Sequence, residues 1–238
     1  MSARHLTALV AGALAVAALQ AAPAGATTKQ FCAAYKHWDL LYAEQFVAGT
    51  PSDQQIAAVD DRLDALVTRL ERTAPKRIAA DVQTIADRFH AGFAQVVSAL
   101  RAGDGKLGDA FYAVDNFALN SCDFRVVDVT AADFRFRGVP KSIAPGFVAF
   151  AVGNDSPQDH FMMIVRLTGR KTVEDLTTLS FSELVRAVEV VAPPTVAPPG
   201  RRVANYAQLE KPGRYAIVDP TFLTEKMATE FRVTNAHA

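Results

Sequence analysis

The sequence lacks most of the features that announce an activity. Lys and Arg total 25 and Asp and Glu total 25, so the formal charge is zero at neutral pH, with no basic run and no acidic tail. Nothing therefore asks for nucleic acid or an anionic membrane as partner. No Gly-x-Ser-x-Gly or His-Glu-x-x-His stretch is present, which removes the motif-borne hydrolase readings. There is no phosphate-cradling glycine loop and no tandem repeat. Cysteine occurs only twice, at Cys32 and Cys122. The longest apolar run, residues 6–19, falls short of the ~20 residues that span a bilayer.

What is present begins with that run. A short basic start (Arg4, His5), the apolar stretch and Ala24-Gly25-Ala26 as a small-residue cleavage site compose a secretory signal peptide over residues 1–26. An uncleaved N-terminal anchor is the competing reading. No cysteine follows the cleavage site immediately, so no lipid anchor is expected there. The expected localisation is secreted or cell-envelope/periplasmic, with no membrane span after cleavage. In such a compartment an even pair of cysteines reads as a disulfide, Cys32 to Cys122; two free thiols are the alternative.

The first part of the mature chain has helical period. Residues 28–47 place Phe31, Tyr35, Trp38, Tyr42 and Phe46 on one side. Thr50-Pro51-Ser52 breaks that helix, and Ser52 is placed to cap the next, 53–72, where Ile56, Val59, Leu63, Leu66 and Leu70 recur by three and four. Ala74-Pro75 ends it, and Pro75 suits the first turn of a third helix, 78–100, whose stripe runs from Ile78 through Phe89 and Phe93 to Leu100. Gly103-Asp104-Gly105 stops it, and a fourth helix, 107–121, turns Leu107, Phe111, Val114 and Ala118 inward. Four amphipathic helices with short turns predict an up-down-up-down bundle over residues 27–122. In that topology Cys32 and Cys122 meet at one end, closing a loop of about 90 residues. Asp87 and His90, spaced i, i+3, and His37 fall short of a di-metal ligand set and read as surface groups.

From residue 123 the period becomes two. Strands are expected at 124–129, at 133–137 with Phe134 and Phe136 on one face, at 147–154 and at 160–167. A helical insertion follows at 173–179 and 182–191, with Ser180 as cap. Residues 192–200, with Pro193-Pro194 and Pro198-Pro199-Gly200, read as a stiff surface loop. Strands return at 203–209, 214–218 and 230–234, Pro212-Gly213 forming a hairpin turn between the first two. Roughly seven short strands with such turns predict a Greek-key β-sandwich over residues 123–238.

The run Phe134-x-Phe136-x-Gly138, Ile143-x-Pro145-Gly146, Phe150-x-Val152-x-Asn154, His160-x-Met162 and Arg166-Leu167 resembles the cupredoxin-like domain of exported bacterial proteins related to plastocyanin and azurin. Leu209-x-x-Pro212-Gly213-x-Tyr215 and Met227-x-x-Glu230-Phe231-x-Val233 continue it. The helical half is similar to a domain often paired with it in actinobacterial-type exported proteins. The resemblance implies an α + β chain: a helical bundle closed by a disulfide, then a cupredoxin-like sandwich with a helical insertion.

It also implies where a copper ion would sit. A blue-copper site needs two imidazoles, a thiolate and a weak axial methionine. His160 and Met227 match the first histidine and the methionine. Asp219 stands where the family has its cysteine, and Phe222 where it has the second histidine. His237 falls in the C-terminal tail. A weak copper or zinc site from His160, Asp219 and Met227 competes with a purely structural His160–Asp219 hydrogen bond. Met162 and Met163 point to opposite faces of one strand and so form no methionine cluster, whereas Arg166 shares the His160 face.

The resulting expectation is an exported, non-enzymatic binding or interaction protein that needs no cofactor, with an unknown protein or small ligand at the cell envelope as partner. Metal handling at His160 and Asp219, with Met227, is the rival. An enzyme working in a cleft between the two domains is the third.

Overall fold

The computed structural model describes residues 27–47 and 53–235. The signal peptide, the Thr50-Pro51-Ser52 break and His237 lie outside the described residues.

Five helices form the first layer: α1 (Thr28–Val47), α2 (Asp53–Thr73), α3 (Ala79–His90), α4 (Phe93–Arg101) and α5 (Gly105–Ser121). The expected third helix is thus two. Gly92 adopts φ 105°, which residues with a Cβ avoid, and Asp60 of α2 accepts the Phe93 N–H at 2.7 Å to start α4. Phe89 and Phe93 are four apart and both buried, so the apolar stripe passes through the break in phase and hides it from a periodicity reading. Asp104 caps α5 by accepting the Leu107 N–H. Cys32 near the start of α1 and Cys122 at the end of α5 are bridged, with Cα atoms 5.4 Å apart.

Nine strands follow, interrupted by α6 (Val173–Leu176) and α7 (Phe181–Ala187). They are β1 (Arg125–Ala132), β2 (Arg135–Arg137), β3 (Ser142–Ile143), β4 (Gly146–Asn154), β5 (His160–Arg166), β6 (Glu189–Ala197), β7 (Arg202–Leu209), β8 (Gly213–Val218) and β9 (Ala228–Val233). One sheet runs β2-β1-β4-β7 and the other β3-β9-β8-β5-β6. Both are mixed, because β1 lies parallel to β4 and β3 parallel to β9. Phe150, Met162, Ile164, Ile217 and Phe231 fill the space between them, each such burial being worth about 1.5–3 kcal/mol. Met163 and Val165 face the other way and pack on Leu176 and Leu184 of the two short helices, as the strand period requires. Ser180 and Glu183 form a capping box at the start of α7.

Several local expectations change, among them the second insertion helix, which ends at Ala187 and gives way to strand β6 from Glu189. Asp133 and Phe134 adopt positive φ (49° and 56°) in a turn before β2, so Phe134 is 37% exposed while Phe136 is buried. Pro193 and Pro194 lie in strand β6 rather than in a loop. β6 is an edge strand with a bulge opposite β5, the setting in which a strand tolerates residues without an N–H. Pro212-Gly213 makes no hairpin, since β7 pairs with β4 in one sheet and β8 with β5 and β9 in the other.

The outer face of the first sheet is lined by small residues, Ala149, Ala151 and Ala204, with Tyr206 beside them. These join the helical layer's core directly, and the Tyr206 hydroxyl donates to the Asp115 main-chain oxygen of α5 at 3.0 Å. Among the described residues no helix is long and apolar enough to cross a membrane.

Candidate functional site

The end of the sandwich that carries His160 is built by side chains bonding to main chain. Asn154, 1% exposed, donates to the carbonyls of Gln158 (2.7 Å) and Ala197 (2.6 Å) and accepts the Ser156 N–H (2.9 Å). That fixes the polar turn between β4 and β5 and delivers His160 to the mouth of β5. Asp219 follows β8 directly. His160 Nδ1 lies 2.9 Å from Asp219 Oδ2, which also accepts the Phe161 N–H at 3.0 Å; Oδ1 accepts the Thr221 N–H at 2.9 Å. Both residues are fully buried.

A carboxylate accepts and does not donate, so this network places the imidazole proton on Nδ1. Nε2 is left as a buried acceptor with no partner among the described residues. The Phe222 ring packs edge-on against the imidazole at 5.1 Å and Phe134 at 6.4 Å, and the two phenyl rings touch each other at 5.1 Å. Phe134, in its left-handed turn, therefore helps cap the histidine. Met227 is joined to the site through main chain, its carbonyl accepting from Asp219 N at 2.9 Å, while its side chain is buried in the sandwich core. The structure thus bonds His160 to Asp219 and brings Met227 into the same loop. Among the described residues no group of three or more His, Cys, Asp or Glu side chains gathers into a metal-binding cluster. Arg166, at the far end of β5, pairs with Glu189 at 2.9 Å.

The helical layer's histidines lie elsewhere. His37 is exposed. His90 does not pair with Asp87: Nδ1 meets Asp64 at 2.5 Å and Nε2 meets Glu71 at 2.9 Å, both on α2. Those two carboxylates raise the imidazole pKa above its ordinary value. Asp87 instead accepts from Gln83.

A second site carries no motif. A cleft of about 320 Å³ opens where α1 and α5 pack against β6 and β7. Trp38, Tyr42 and Phe111 form one wall, stacked on each other at 5.5–5.8 Å; Pro193, Pro194 and Tyr206 contribute to the others. Two acids lie within it, Asp39 from α1 and Asp115 from α5. The Tyr35 hydroxyl donates to Asp115 Oδ1 at 2.7 Å. Burial nevertheless pushes the Asp115 carboxyl up to about 7, with that hydrogen bond opposing. Asp39 Oδ2 is buried without a partner among the described residues. Burial first, and then the charge of Asp115, hold the Asp39 carboxyl well above the usual carboxylate range. The Trp38 indole N–H is likewise buried and unpartnered. Among the described residues lining the cleft there is no Lys, Arg or His.

Sequence reasoning missed this site because Asp39 and Asp115 each follow a residue of the apolar stripe and so read as its solvent edge. Only the sheet laid over α1 and α5 covers them. The one available signal was an acid beside the sole tryptophan, on a helix whose other stripe positions are aromatic.

No protein-family model matches the chain. No curated protein matches it either. Among solved structures, about half of the chain is similar to auracyanin B, at 17% identity over 46% of this chain and 88% of that one, with a TM-score of 0.34. It is also similar to auracyanin A, a blue copper protein from the green thermophilic photosynthetic bacterium Chloroflexus aurantiacus, at 14% identity over 46% and 98%, TM-score 0.35. Reduced auracyanin from the photosynthetic bacterium Roseiflexus castenholzii is a third, at 15% identity over 47% and 97%, TM-score 0.34.

Proposed function

We propose that this chain is an exported, non-enzymatic binding protein: a small ligand enters the cleft between the helical layer and the first sheet, and the cupredoxin-like sandwich serves as scaffold. The observation that carries this reading is the cleft itself, largely apolar, with a buried Asp39 oxygen and a buried Trp38 N–H that find no partner among the described residues. Buried polar groups are ordinarily satisfied, and a concave apolar site with a few convergent polar groups is the usual form of a ligand pocket. Export is supported by the signal-peptide pattern and by the Cys32–Cys122 bridge, which suits an oxidising compartment. A scaffold role for the sandwich is supported at the end that carries His160. Asp219, which the family resemblance sets at the thiolate position, is committed to His160 and two backbone N–H groups.

The test is a fragment screen on the oxidised, signal-free protein, followed by Trp38 emission. The screen is repeated on Ala204→Phe, which fills the cleft, after circular dichroism shows the variant folded. Hits lost in Ala204→Phe carry the reading; hits indifferent to it sink the cleft as the binding site.

One observation favours a second reading, metal handling at His160 with Asp219 and Met227: the unpartnered Nε2. Copper titration of the protein and of His160→Ala tests it, tight binding lost in the variant being the result in its favour.

A further inference from the structure

We infer that the cleft is a site for a small organic cation, an ammonium group carried on an apolar body. The inference rests on the binding reading above and gives its ligand a chemical class.

The charge argument comes first. Asp39 and Asp115 are the ionisable acids of the cleft, and no basic side chain lines it among the described residues. The cations nearby are engaged elsewhere: Lys36 lies over the Phe147 ring at 4.8 Å, and Arg202 pairs with Asp128 at 2.5 Å. Asp39 Oδ2 therefore has neither a hydrogen-bond donor nor a counter-charge from the described chain. A buried carboxylate is stabilised by a paired charge, and here only a ligand is left to bring it.

The lining then selects among cations. A hard divalent ion takes six or more oxygen ligands, roughly, and the cleft offers two carboxyl groups among aromatic rings and prolines. An ammonium needs fewer oxygen acceptors and is attracted to the faces of Trp and Tyr, of which Trp38, Tyr42 and Tyr206 line the cleft. The Trp38 indole N–H, on a residue 1% exposed, is a second buried group without a partner among the described residues; as a donor it marks an unfilled site but is not satisfied by the ammonium itself. The volume, about 320 Å³, lies at the small end of ligand pockets and suits one ring with a short amine arm.

Protonation fits as well. The titratable groups facing the acids are Tyr35 and Tyr42 from α1 and Tyr206 from β7, all held neutral far above physiological pH by burial; β6 brings only Pro193, Pro194 and Thr195. With Asp39 held high and Asp115 at about 7, the pair is only partly ionised near neutrality, and the ionisation of one carboxyl would balance a monocation. Entry of the cation ionises a carboxyl and releases its proton, so binding tightens as pH rises.

Trp38 is the only tryptophan, so its emission reports the cleft directly. Three probes of one shape separate the charge states: 2-phenylethylamine, 2-phenylethanol and phenylacetate. The amine is expected to move Trp38 emission saturably and to bind at least tenfold more tightly than the alcohol, with phenylacetate weakest. Asp39→Asn, and independently Asp115→Asn, should weaken the amine about tenfold without weakening the alcohol. Amine affinity should fall several-fold between pH 8 and pH 5.5. Equal binding of amine and alcohol, indifferent to both substitutions, overturns the cation assignment and leaves the cleft as a binding site. Calcium or zinc chloride displacing the amine in an Asp39-dependent manner overturns it in favour of a metal. Amine binding that persists in Ala204→Phe, or no response of Trp38 to any of the three probes at millimolar concentration, removes the cleft reading together with the cation.

Discussion

Asn205 Nδ2, on β7 of the first sheet, donates to the main-chain oxygen of Met162 on β5 of the second sheet at 2.6 Å, through the buried centre of the sandwich. The same amide group reaches the Pro193 carbonyl at 2.9 Å. The reason lies in β6. Prolines 193 and 194 bring no N–H to β5 at its bulge, so the edge ladder is short of donors, and an amide from the opposite sheet makes up the deficit.

Asn205→Leu keeps the volume and removes the donor that the Met162 and Pro193 carbonyls share. A loss of about 1–3 kcal/mol is expected. Urea unfolding monitored by circular dichroism measures it; a midpoint equal to that of the parent protein would contradict the role assigned to the amide.

Asp219 gathers three donors, the His160 imidazole and the N–H groups of Phe161 and Thr221. Asp219→Ala should therefore cost roughly 3 kcal/mol or more, since each orphaned buried donor carries its own desolvation penalty. Asp219→Asn should cost less, because its carbonyl oxygen still accepts. If the alanine variant is as stable as the asparagine one, the three-donor account fails.

Copper(II) added to the oxidised protein should give no intense blue thiolate absorption, because both cysteines are held in one bridge and no thiolate is left to bind the metal. Visible absorption spectroscopy reads this directly.

The Asp115 carboxyl titrates near 7 in the folded protein against an ordinary value of 3.8. A raised acid pKa means the folded state holds the proton more tightly, so this group's contribution is most favourable below about pH 4 and is lost as pH rises to about 7. Carboxylates with lowered values, such as Glu189 and Glu230, pull the other way, so the parent protein alone does not isolate the effect. The difference between parent and Asp115→Asn does. Asp115→Asn should gain stability relative to the parent between pH 4.5 and pH 8, as measured by urea midpoints; a pH-independent difference would refute the burial of this charge.

Reduction of the bridge releases a constraint between residues 90 apart in sequence, worth roughly 4 kcal/mol in the chain-entropy account. Cys32→Ser with Cys122→Ser should lower the thermal midpoint markedly while leaving far-ultraviolet circular dichroism unchanged at low temperature.

Much of this was legible in the sequence wherever a repeating pattern of apolar residues carried it. The first helix, Thr28–Val47, has the bounds its aromatic spacing predicts, and β4, β5, β7, β8 and β9 lie within a residue or two of their alternating runs. Cys32 and Cys122 could be paired because the ends of α1 and α5 were legible. So could the hydrogen bond between His160 and Asp219, as one of two readings of that pair. The break at Gly92 was not, because Phe89 and Phe93 keep phase across it.

The sequence by itself determined which face of each element is apolar, since periods of 3.6 and 2 are properties of a local run. Tertiary structure decided the fate of residues that no local run explains. Pro193 and Pro194 became strand because β5 lay beside them and Asn205 supplied the missing donor. Phe134 left its predicted strand for a left-handed turn over His160. Asp39 and Asp115, at the edge of a helical stripe, lost their water to β6 and β7, which follow them by far more than a helical turn in the chain. Whether an edge residue meets solvent or a second layer depends on distant segments, and that dependence is why the cleft belongs to the fold and not to any motif.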